Sequence, residues 1–500
     1  MSQAITDYLK STPVDKINTA YLAYLANLTE TAKVSPATAA SIVKELEAQR
    51  SSVKLIASEN YCSLAVQLSM GNLLTDKYAE GYANHRFYAG CDNVDDIETL
   101  AIEEAKKLFG AQHAYVQPHS GADANLIAYW AILSTKIEMP FLNELGETNL
   151  YKITDDQWAQ LKSKLGTQKL LGLDYYSGGH LTHGYRYNVS ARMFDCYSYA
   201  VSKETGLLDY DSIEKQAQEI KPLILLAGYS AYPRAINFRR MREIADKVGA
   251  VLMVDIAHFA GLVAGGVFTG DENPMPFAHV VTTTTHKTLR GPRGAMVLCQ
   301  QEFAEAVDKG CPLVIGGPLP HVMAAKAIAF TEANQPAFKD YAKRVLENSR
   351  ALAAAAMSQG LNVVTGGTDN HLLLIDVTGF GLTGRQAESA VRECGFTLNR
   401  NSLPFDPNGP WYTSGLRLGT PAMTTLGMGT PEMKEIASIL KLILAGTKAN
   451  LDKTGAPSKA KYTVDEGVKT QSLARVKTLL DRYPVYPELD LEFLKKHFVK

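Results

Sequence analysis

The sequence predicts an α/β fold, with one large and mainly parallel sheet followed by a smaller α/β unit. Short apolar strands alternate with amphipathic helices from about residue 76 to 325. This order is typical of a parallel sheet with helices on both faces. The 500 residues are also more than one typical domain needs. Beyond about residue 326 the pattern changes, because helix formers dominate over 327–357 before a further strand candidate at 371–377.

The N-terminal part is predicted to be a helical arm. Ser35 is suited to the N-cap of a helix and Pro36 to its first position, and strong helix formers continue to Arg50. We therefore expect three parts along the chain. They are a helical arm over 1–75, a large domain over 76–325 and a small C-terminal domain over 326–500.

Within the large domain the predicted elements follow one another at short intervals. Residues 223–227 are expected to form a strand, and 238–248 a helix that Gly249 ends as its C′ residue. Apolar and β-branched runs predict the next strands. These strands are expected at 251–255, 280–285 and 295–299.

An insertion is expected at about residues 135–172. Thr154 and Gln157 fit a capping box, and Ile153 and Trp158 fit the hydrophobic staple that flanks such a box. The stretch is therefore predicted to contain an ordered helix rather than a loose loop.

Composition and charge exclude several classes of protein. The net charge of −1 gives no basis for binding nucleic acid or an anionic membrane, and no apolar run approaches the ~20 residues that span a bilayer. The first ten residues lack an apolar signal core. The six cysteines show neither a Cys-x-x-Cys pair nor a metal-binding spacing, so we expect a cytoplasmic protein with reduced thiols and no metal site.

Two strands that are predicted to be buried each lead into a charged residue. One ends on Asp255, and the other leads through His286 into Lys287. Because an unpaired buried ion is costly, charged residues at the ends of neighbouring parallel strands indicate a functional site. A desolvated lysine can attack an aldehyde, and a carboxylate can keep a pyridine nitrogen protonated. The pair therefore predicts pyridoxal phosphate as cofactor, although two solvated strand ends remain the alternative.

A phosphate site is predicted at residues 119–122, His-Ser-Gly-Ala, which precede an apolar helical stretch. A Ser-Gly turn at a helix N-terminus presents free backbone N–H groups to an anion, and the helix dipole favours negative charge there. An ordinary N-capped helix without a ligand would give the same pattern. The threonine hydroxyls of 282–285 are further candidate groups for a phosphate or hydroxyl ligand.

The segment 178–184 places glycines on both sides of His180 and His183, which suggests a loop that approaches a ligand closely. Two histidines three residues apart, without nearby cysteines or clustered carboxylates, are a weak basis for a zinc site. An aromatic face stacked on a cofactor ring suits His180 better.

Two more residues have both a functional and an ordinary interpretation. His258 follows Asp255 by three residues and is either a hydrogen-bonded core histidine or a cofactor contact. Arg417 lies between glycines in 413–421, where it could clamp a substrate carboxylate through two hydrogen bonds. The alternative for Arg417 is a surface ion pair.

Several segments of the chain resemble the serine hydroxymethyltransferases. The resemblance covers about residues 50–130 and 175–490. The most specific match is Thr-Thr-Thr-Thr-His-Lys at 282–287. Other matching segments are 55–61, 77–82, 117–121, 178–184, 254–258 and 414–424.

The resemblance implies a fold, a reaction and an assembly. The fold would be that of the pyridoxal-phosphate-dependent transferases of the aminotransferase type, with a large, mainly parallel, seven-stranded sheet domain and a smaller C-terminal α/β domain. The reaction would be reversible transfer of the serine hydroxymethyl carbon to tetrahydrofolate, which gives glycine and methylenetetrahydrofolate. The assembly would be a homodimer whose active sites are shared between chains.

The resemblance also implies site residues. The implied catalytic residues are Lys287, which would hold the cofactor covalently, Glu80 as acid/base, His180, Asp255 and Tyr78. The implied cofactor-binding residues are Ser120, Gly121, Ala122, His180, Ser230, Asp255, His258, Thr284, His286 and Lys287, with Gly316 and Gly317 supplied by the partner chain. The implied substrate-binding residues are Ser58, Tyr88 and Arg417. The implied folate-binding residues are Glu80, Tyr175, Gly179, Leu181 and Asn401.

The chain departs from the family pattern in places. Ala122 stands where a second serine is usual, and Leu426 where an arginine is common. Segments 175–177 and 312–315 also differ, and the insertion lies just ahead of Tyr175. Two alternatives therefore stay open. One is a related activity on small amino acids, such as alanine racemisation or cleavage of 3-hydroxy amino acids, and the other is a non-catalytic paralogue.

Overall fold

The centre of the fold is a seven-stranded sheet, in a computed structural model that describes residues 3–499. Six strands run in the same direction, and Ala295–Cys299 is antiparallel to both of its neighbours. The predicted large and mainly parallel sheet is therefore confirmed. The strands lie in the order His113–Tyr115, Ala295–Cys299, Val280–Thr284, Val251–Asp255, Ile224–Gly228, Lys169–Leu173 and Asp195–Tyr199.

The two central strands bring the site residues to one edge of the sheet. Val251–Asp255 and Val280–Thr284 are parallel neighbours, and every residue of both is buried. Asp255 pairs in register with Thr282. Since parallel strands end on the same side of a sheet, Asp255 and Lys287 emerge at the same edge, as predicted.

Helices cover both faces of this sheet. The helix Phe238–Val248 has the predicted bounds, and Gly249 ends it at φ 71°. Gly121–Leu133 begins at the predicted Ser-Gly turn. The other α-helices of this part are Asp92–Phe109, Ser190–Met193, Tyr210–Ile220, Ala260–Ala264, Gln301–Asp308, Gly310–Leu313 and Pro320–Ala333.

The predicted insertion is ordered. After Gly121–Leu133 the chain continues through a π-helical turn, Ser134–Glu138, and the helices Met139–Glu144 and Asp155–Gly166. The capping box is confirmed, because the Thr154 hydroxyl accepts the N–H of Gln157 while the Gln157 side chain accepts the N–H of Thr154.

A second, antiparallel sheet lies in the C-terminal part. Its strands lie in the order Asn362–Val363, Leu372–Asp376, Gly415–Gly419 and Asn399–Asn401, and the hairpin Thr447–Leu451 with Pro457–Val464 is separate. The C-terminal α-helices are Gly384–Glu393, Gly409–Tyr412, Pro421–Thr425, Thr430–Ala445, Glu466–Arg482 and Leu491–Phe498.

The N-terminal helices pack against this C-terminal part. Buried residues of the first 61 positions form one core with residues 352–494. The strand Val53–Lys54 pairs with Phe396–Thr397, and the Arg50 guanidinium donates to backbone carbonyls at Val485, Tyr486 and Leu489. The N-terminal helices are Gln3–Ser11, Thr19–Val34, Pro36–Arg50 and Leu64–Leu68.

The helix Pro336–Ser358 joins the two main cores. Its first half, including Phe338 and Val345, packs in the core of the large sheet. Its second half, including Leu352 and Ala353, packs in the core that the N- and C-terminal parts share. The domain boundaries near 75 and 325 stay a prediction. Within residues 3–499 no helix is both long and apolar enough to cross a bilayer.

Candidate active site

A cavity of about 440 Å³ lies at the carboxyl ends of the two central strands. Pockets for small ligands are typically about 300–1,000 Å³, so its size suits a cofactor with a small substrate. The predicted residues that line it are Ser58, Ser120, Gly121, Ala122, His180, Ser230, Asp255, His258, Thr284, His286, Lys287 and Arg417. The chain thus brings most of the predicted cofactor site together.

Asp255 places a buried carboxylate against this cavity. Asn125 Nδ2 and His183 Nε2 lie 3.0 and 3.1 Å from Oδ2, and the backbone N–H of Ala257 donates to Oδ1 at 3.0 Å. Burial by itself would raise the pKa of Asp255, but the hydrogen bonds from His183 and Asn125 hold that pKa below the usual range. An ionised carboxylate is what a protonated ring nitrogen needs as a partner.

The proton position on His183 follows from its contacts. Its Nδ1 accepts the backbone N–H of His180 at 3.3 Å. The ring proton is therefore on Nε2, from which it is donated to Asp255. The sequence reasoning overlooked this role and treated His183 only as a weak metal candidate. Within residues 3–499 no three His, Cys, Asp or Glu side chains are grouped as a metal site.

Asn125 is a second site residue that the sequence reasoning did not identify. Its Oδ1 accepts the Thr282 hydroxyl at 2.6 Å, which orients the amide so that Nδ2 faces Asp255 and Thr182. Asn125 is buried on the mostly apolar helix Gly121–Leu133. A lone amide in an apolar helix was the available signal, because buried polar groups need partners.

Lys287 opens onto the cavity that Asp255 also lines. Burial lowers the pKa of Lys287 to about 8, the Arg417 and Arg293 charges add to the lowering, and Asp255 opposes it. A substantial fraction of neutral amine is therefore present near neutral pH. Such an amine is a nucleophile for an aldehyde.

The Ser120 turn carries groups suited to a phosphate. The Ser120 hydroxyl accepts the N–H of Asp123, whose carboxylate accepts the N–H of Ser120, so the turn is a capping box. His119 Nε2 is buried beside it and has no hydrogen-bond partner among the described residues. A Cβ on Gly121 would lie 2.8 Å from Thr284 Cγ2, so a larger residue would collide with Thr284 in this turn. An orphaned ring nitrogen and a tight glycine turn fit the phosphate end of pyridoxal phosphate.

The threonine hydroxyls of 282–285 all donate to acceptors within the protein. The acceptors are Asn125 Oδ1 and the backbone carbonyls of Thr284, Ala257 and Pro292. In the described structure these hydroxyls satisfy polar groups of the buried strand end, and their role toward a phosphate or hydroxyl ligand stays a prediction. Thr284 still lines the cavity.

His180 presents a neutral ring to the cavity. Burial lowers the pKa of His180 to about 4, and the neighbouring His183 adds to the effect. Its Nδ1 accepts the backbone N–H of Thr182 at 3.2 Å and lies 2.7 Å from the Thr182 hydroxyl. An uncharged ring held at one nitrogen is suited to packing on an aromatic cofactor, as the sequence predicts.

Arg417 is a half-buried cation at the same cavity rather than a surface ion pair. Its Nη1 donates to the carbonyl and the hydroxyl of Ser230 at 2.7 and 3.1 Å, and its Nε donates to Asn399 Oδ1 at 3.1 Å. Burial lowers the pKa of Arg417 to about 10, so the guanidinium stays charged at neutral pH. The cavity therefore offers a positive group to a carboxylate ligand.

A second cavity of about 280 Å³ adjoins the first and shares His180, Ser230 and Arg417 with it. All the predicted folate residues except Glu80 line this second cavity. They are Tyr175, Gly179, Leu181 and Asn401. Two ligands can therefore lie side by side with Arg417 between them.

The remaining predicted residues form a separate group. The Tyr88 hydroxyl donates to Glu80 Oε2 at 3.3 Å, the Tyr78 and Tyr88 rings are 5.2 Å apart, and a Cβ on Gly317 would lie 3.3 Å from the Tyr78 ring. Tyr78 is 59% exposed and Tyr88 is 46% exposed. Tyr78, Glu80, Tyr88, Gly316 and Gly317 are not among the described residues that line the Lys287 cavity.

Comparison with known proteins assigns the chain to a family. A family model described as serine hydroxymethyltransferase matches residues 32–143 and 161–440. The chain belongs to the serine hydroxymethyltransferase family. The resemblance and the fold class that the sequence predicts are thereby confirmed. The unmatched residues 144–160 lie inside the predicted insertion.

Relatives named serine hydroxymethyltransferase match almost the full chain. The relative from Treponema pallidum (strain Nichols) is 64% identical over 499 residues, which are 100% of this chain and 87% of that protein. The relative from Mycolicibacterium smegmatis is 57% identical over 477 residues, 95% of this chain and 96% of the relative. The relative from Chlamydia trachomatis serovar D is 51% identical over 496 residues, 99% of this chain and 100% of the relative. Enzymes of this family use pyridoxal phosphate as cofactor and tetrahydrofolate as co-substrate.

Proposed function

We propose that the protein catalyses reversible transfer of the serine hydroxymethyl carbon to tetrahydrofolate, with Lys287 as the cofactor lysine. The observation that carries the proposal is the joining of two cavities at Arg417. Lys287 and Asp255 line one cavity, and the predicted folate residues Tyr175, Gly179, Leu181 and Asn401 line the other. An amino acid whose carboxylate is bound at Arg417 would have one face toward each cavity.

When bound, pyridoxal phosphate supplies an electron sink for the carbon that bears the substrate amino group. The residues of the chain supply binding, orientation and proton transfer. Asp255 provides a fixed negative charge, neutral His180 packs against an aromatic face, and Arg417 binds the substrate carboxylate. These side chains are already ordered by protein hydrogen bonds, so little reorganisation is needed on binding.

Glu80 is proposed to hold or move a proton at the serine hydroxyl. A carboxyl group is suited to this task when it reaches the reacting oxygen at hydrogen-bond distance. In the single chain Glu80 is paired with Tyr88 instead of facing Lys287. The proposed acid/base therefore needs a second chain to reach a substrate.

We propose a homodimer in which each active site combines Lys287 of one chain with Glu80 of the other. The exposed Tyr78 and Tyr88, next to Glu80, support it, since exposed aromatic residues at a functional loop are typical of an interface. A symmetric dimer would complete both sites with the same contacts. A cytoplasmic location is also proposed, because all six cysteines are free.

Serine-to-glycine conversion, measured with and without tetrahydrofolate, tests the function. The cofactor-loaded protein is expected to form glycine at a folate-dependent rate, and Lys287→Ala is expected to abolish this. Alanine racemisation and folate-independent cleavage of 3-hydroxy amino acids are measured alongside. Racemisation or cleavage without any folate-dependent glycine formation would favour the related activity, and no reaction at all would favour a non-catalytic protein.

Mixed dimers test the shared sites. A Lys287→Ala chain and a Glu80→Gln chain, each inactive alone, are combined with two different affinity tags. The purified mixed dimer is expected to have about half the activity of the wild-type dimer, because one of its two sites has both residues intact. If both residues served the same chain's site, the mixed dimer would have no intact site and no activity.

A further inference from the structure

The backbone on both sides of Glu80 is held by buried hydrogen bonds. Arg86 Nη1 donates to the carbonyl of Ala79 at 2.9 Å and to that of Gly81 at 3.2 Å. Gly81 O also accepts from Gln117 Nε2 at 2.8 Å. Glu80 itself makes none of these contacts, so its position is set by residues that flank it.

Gln117 uses its whole amide in this arrangement. Besides Gly81 O, its Nε2 lies 2.8 Å from Glu98 Oε1, and its Oε1 accepts the Tyr115 hydroxyl at 2.9 Å. Gln117 is 1% exposed and Glu98 is fully buried in an ion pair with Arg86. A buried amide with every partner in place has one orientation only, because any rotation leaves polar groups unpaired.

The backbone at Gln117 is fixed as firmly as its side chain. Lys326, which is 1% exposed, donates from Nζ to the carbonyls of Val116 and Pro118, the two neighbours of Gln117. Pro118 O also accepts the backbone N–H of Ala295 at 3.0 Å. Ser120, the start of the proposed phosphate turn, follows Pro118 by two residues. Gln117 is therefore joined to the phosphate turn by a short stretch of fixed backbone, while its side chain contacts the backbone next to Glu80.

We propose that Gln117 is a positioning residue that holds the Glu80 loop and the cofactor-phosphate turn in a fixed relation. The inference rests on the proposed function. In the proposed dimer the turn serves the chain's own site while Glu80 serves the site of the partner subunit. A disturbance at Gln117 is therefore transmitted to both sites, to cofactor binding in one and to proton transfer in the other.

Gln117→Met tests the proposal, with Gln386→Met as the matched control. Gln386 is equally buried, and its Nε2 also donates to two backbone carbonyls, those of Ser458 and Lys461, but it lines neither cavity. Gln117→Met is expected to weaken cofactor binding about tenfold and to lower folate-dependent kcat about tenfold at saturating cofactor, since small misplacements of reacting groups cost this much or more. Gln386→Met should lower Tm by a similar amount and leave both properties within about twofold.

Similar cofactor affinity and kcat in the two variants would overturn the proposal, as would a change in only one of the two properties for Gln117→Met. If Gln117→Met does not fold, Gln117→Asn replaces it, because this variant keeps an amide but is one methylene too short to reach Gly81 O. The wild-type assay tests the proposed function separately, so failure of the inference is distinguishable from failure of that function.

Mixed dimers separate the two effects of Gln117. When Gln117→Met is added to the Lys287→Ala chain, which would provide Glu80 to the intact site, kcat should fall while cofactor affinity at that site stays unchanged. When it is added to the Glu80→Gln chain, which carries Lys287, cofactor affinity should fall while kcat at saturation stays unchanged. If Gln117→Met in one chain lowered both cofactor affinity and kcat at the intact site, the proposal would be contradicted.

Discussion

At the scale of single residues, the ionisation states in the cavity are decided by burial together with specific partners. His180, His258 and His286 are all neutral, because burial lowers the pKa of each. Asp255 stays ionised because three donors oppose the effect of its burial. The cavity thus has a fixed negative charge at Asp255 and, at Lys287, an amine that can lose its proton. The neutral form of this amine is the one that reacts with a cofactor aldehyde.

The attachment of cofactor at Lys287 should depend on pH in a way that reveals its lowered pKa. Only the neutral amine reacts, and a pKa of about 8 leaves about a tenth of it neutral at pH 7 and about nine tenths at pH 9. The initial rate at which yellow colour develops after cofactor is added should rise about tenfold between these values and then level off. A lysine with its ordinary pKa would give about a hundredfold rise without levelling.

The same residue should form the covalent attachment. Reduction with borohydride is expected to fix the cofactor to Lys287, as peptide mass spectrometry would show, and Lys287→Ala should remain colourless after cofactor loading. A modified lysine elsewhere in the chain would remove Lys287 from its role.

Ala122→Ser should strengthen cofactor binding. Ala122 lines the cavity at the first turn of its helix, and a hydroxyl there would add one hydrogen bond, worth about 1 kcal/mol, to a phosphate. A lower cofactor dissociation constant, by about fivefold, is the expected outcome of an equilibrium titration. Ala159→Ser, on an exposed helix of the insertion, is the control and should have no effect. An unchanged constant for Ala122→Ser would reject a phosphate at this turn.

At the scale of elements, one helix serves both ends of the proposed cofactor site. The first turn of Gly121–Leu133 presents the phosphate turn, and Asn125 on its next turn orients Asp255. Five residues of helix span about 7.5 Å between Ser120 and Asn125. A single rigid element therefore sets the distance between a phosphate site and the carboxylate, with no flexible loop between them.

Gly121→Ala should weaken cofactor binding without unfolding the helix. The added Cβ would lie 2.8 Å from Thr284 Cγ2, so the turn must move away from the strand end that it faces. Overpacking of this kind costs about 1–3 kcal/mol, which predicts a cofactor dissociation constant about 5-fold to 150-fold higher. Gly166→Ala is the control, because a Cβ there meets nothing within 4 Å. Equal cofactor affinity in both variants would contradict the tight-turn account.

At the scale of the whole molecule, the site lies where the two main cores meet. Asp255 ends one strand of the large sheet and Lys287 follows another, while Arg417 comes from the second sheet and Ser58 follows the strand Val53–Lys54. The helix Pro336–Ser358 packs in both cores and so keeps these groups in one arrangement. The cofactor side and the carboxylate side of the site are therefore coupled through packing as well as through the cavity.

Phe87→Asp should separate the proposed dimer into monomers. Phe87 is 69% exposed, its N–H donates to Glu80 O, and it precedes Tyr88, so it lies on the surface proposed to reach the partner subunit. Tyr151→Asp is the control, since Tyr151 is 97% exposed on the insertion. In the monomer both changes should alter stability by no more than about 0.5 kcal/mol. Light scattering should give half the mass only for Phe87→Asp, and a dimer that survives this change would place the interface elsewhere.

Much of the fold follows from local pattern. The bounds of Phe238–Val248, Val251–Asp255 and Ala295–Cys299 agree with prediction, because Gly249 ends the helix and the strands are short apolar runs. The capping box at Thr154 was equally readable. Such features depend on residues within a few positions of each other, so the local sequence is enough to predict them.

The candidate site was predictable only where a residue type implies its own chemistry. Lys287, Asp255 and Arg417 are charged groups in apolar or glycine-rich surroundings, and this contrast identified them. Asn125 and His183 hydrogen-bond to Asp255 but lie far from it in the sequence. Their neighbours along the chain therefore gave no sign of this role. The partners of Thr282 and Thr284, Asn125 and Ala257, likewise come from other segments, so the sequence did not indicate them.

By itself, the sequence determined the α/β class, several helix and strand limits and the family, and it singled out Lys287 as the proposed cofactor lysine, because these depend on local pattern and on the chemistry of single side chains. Only the tertiary structure decided which polar groups satisfy Asp255, how the two cavities meet at Arg417, and that Glu80 is held apart from Lys287 in one chain. These are contacts between segments distant along the chain, and their geometry is set by how the two cores pack.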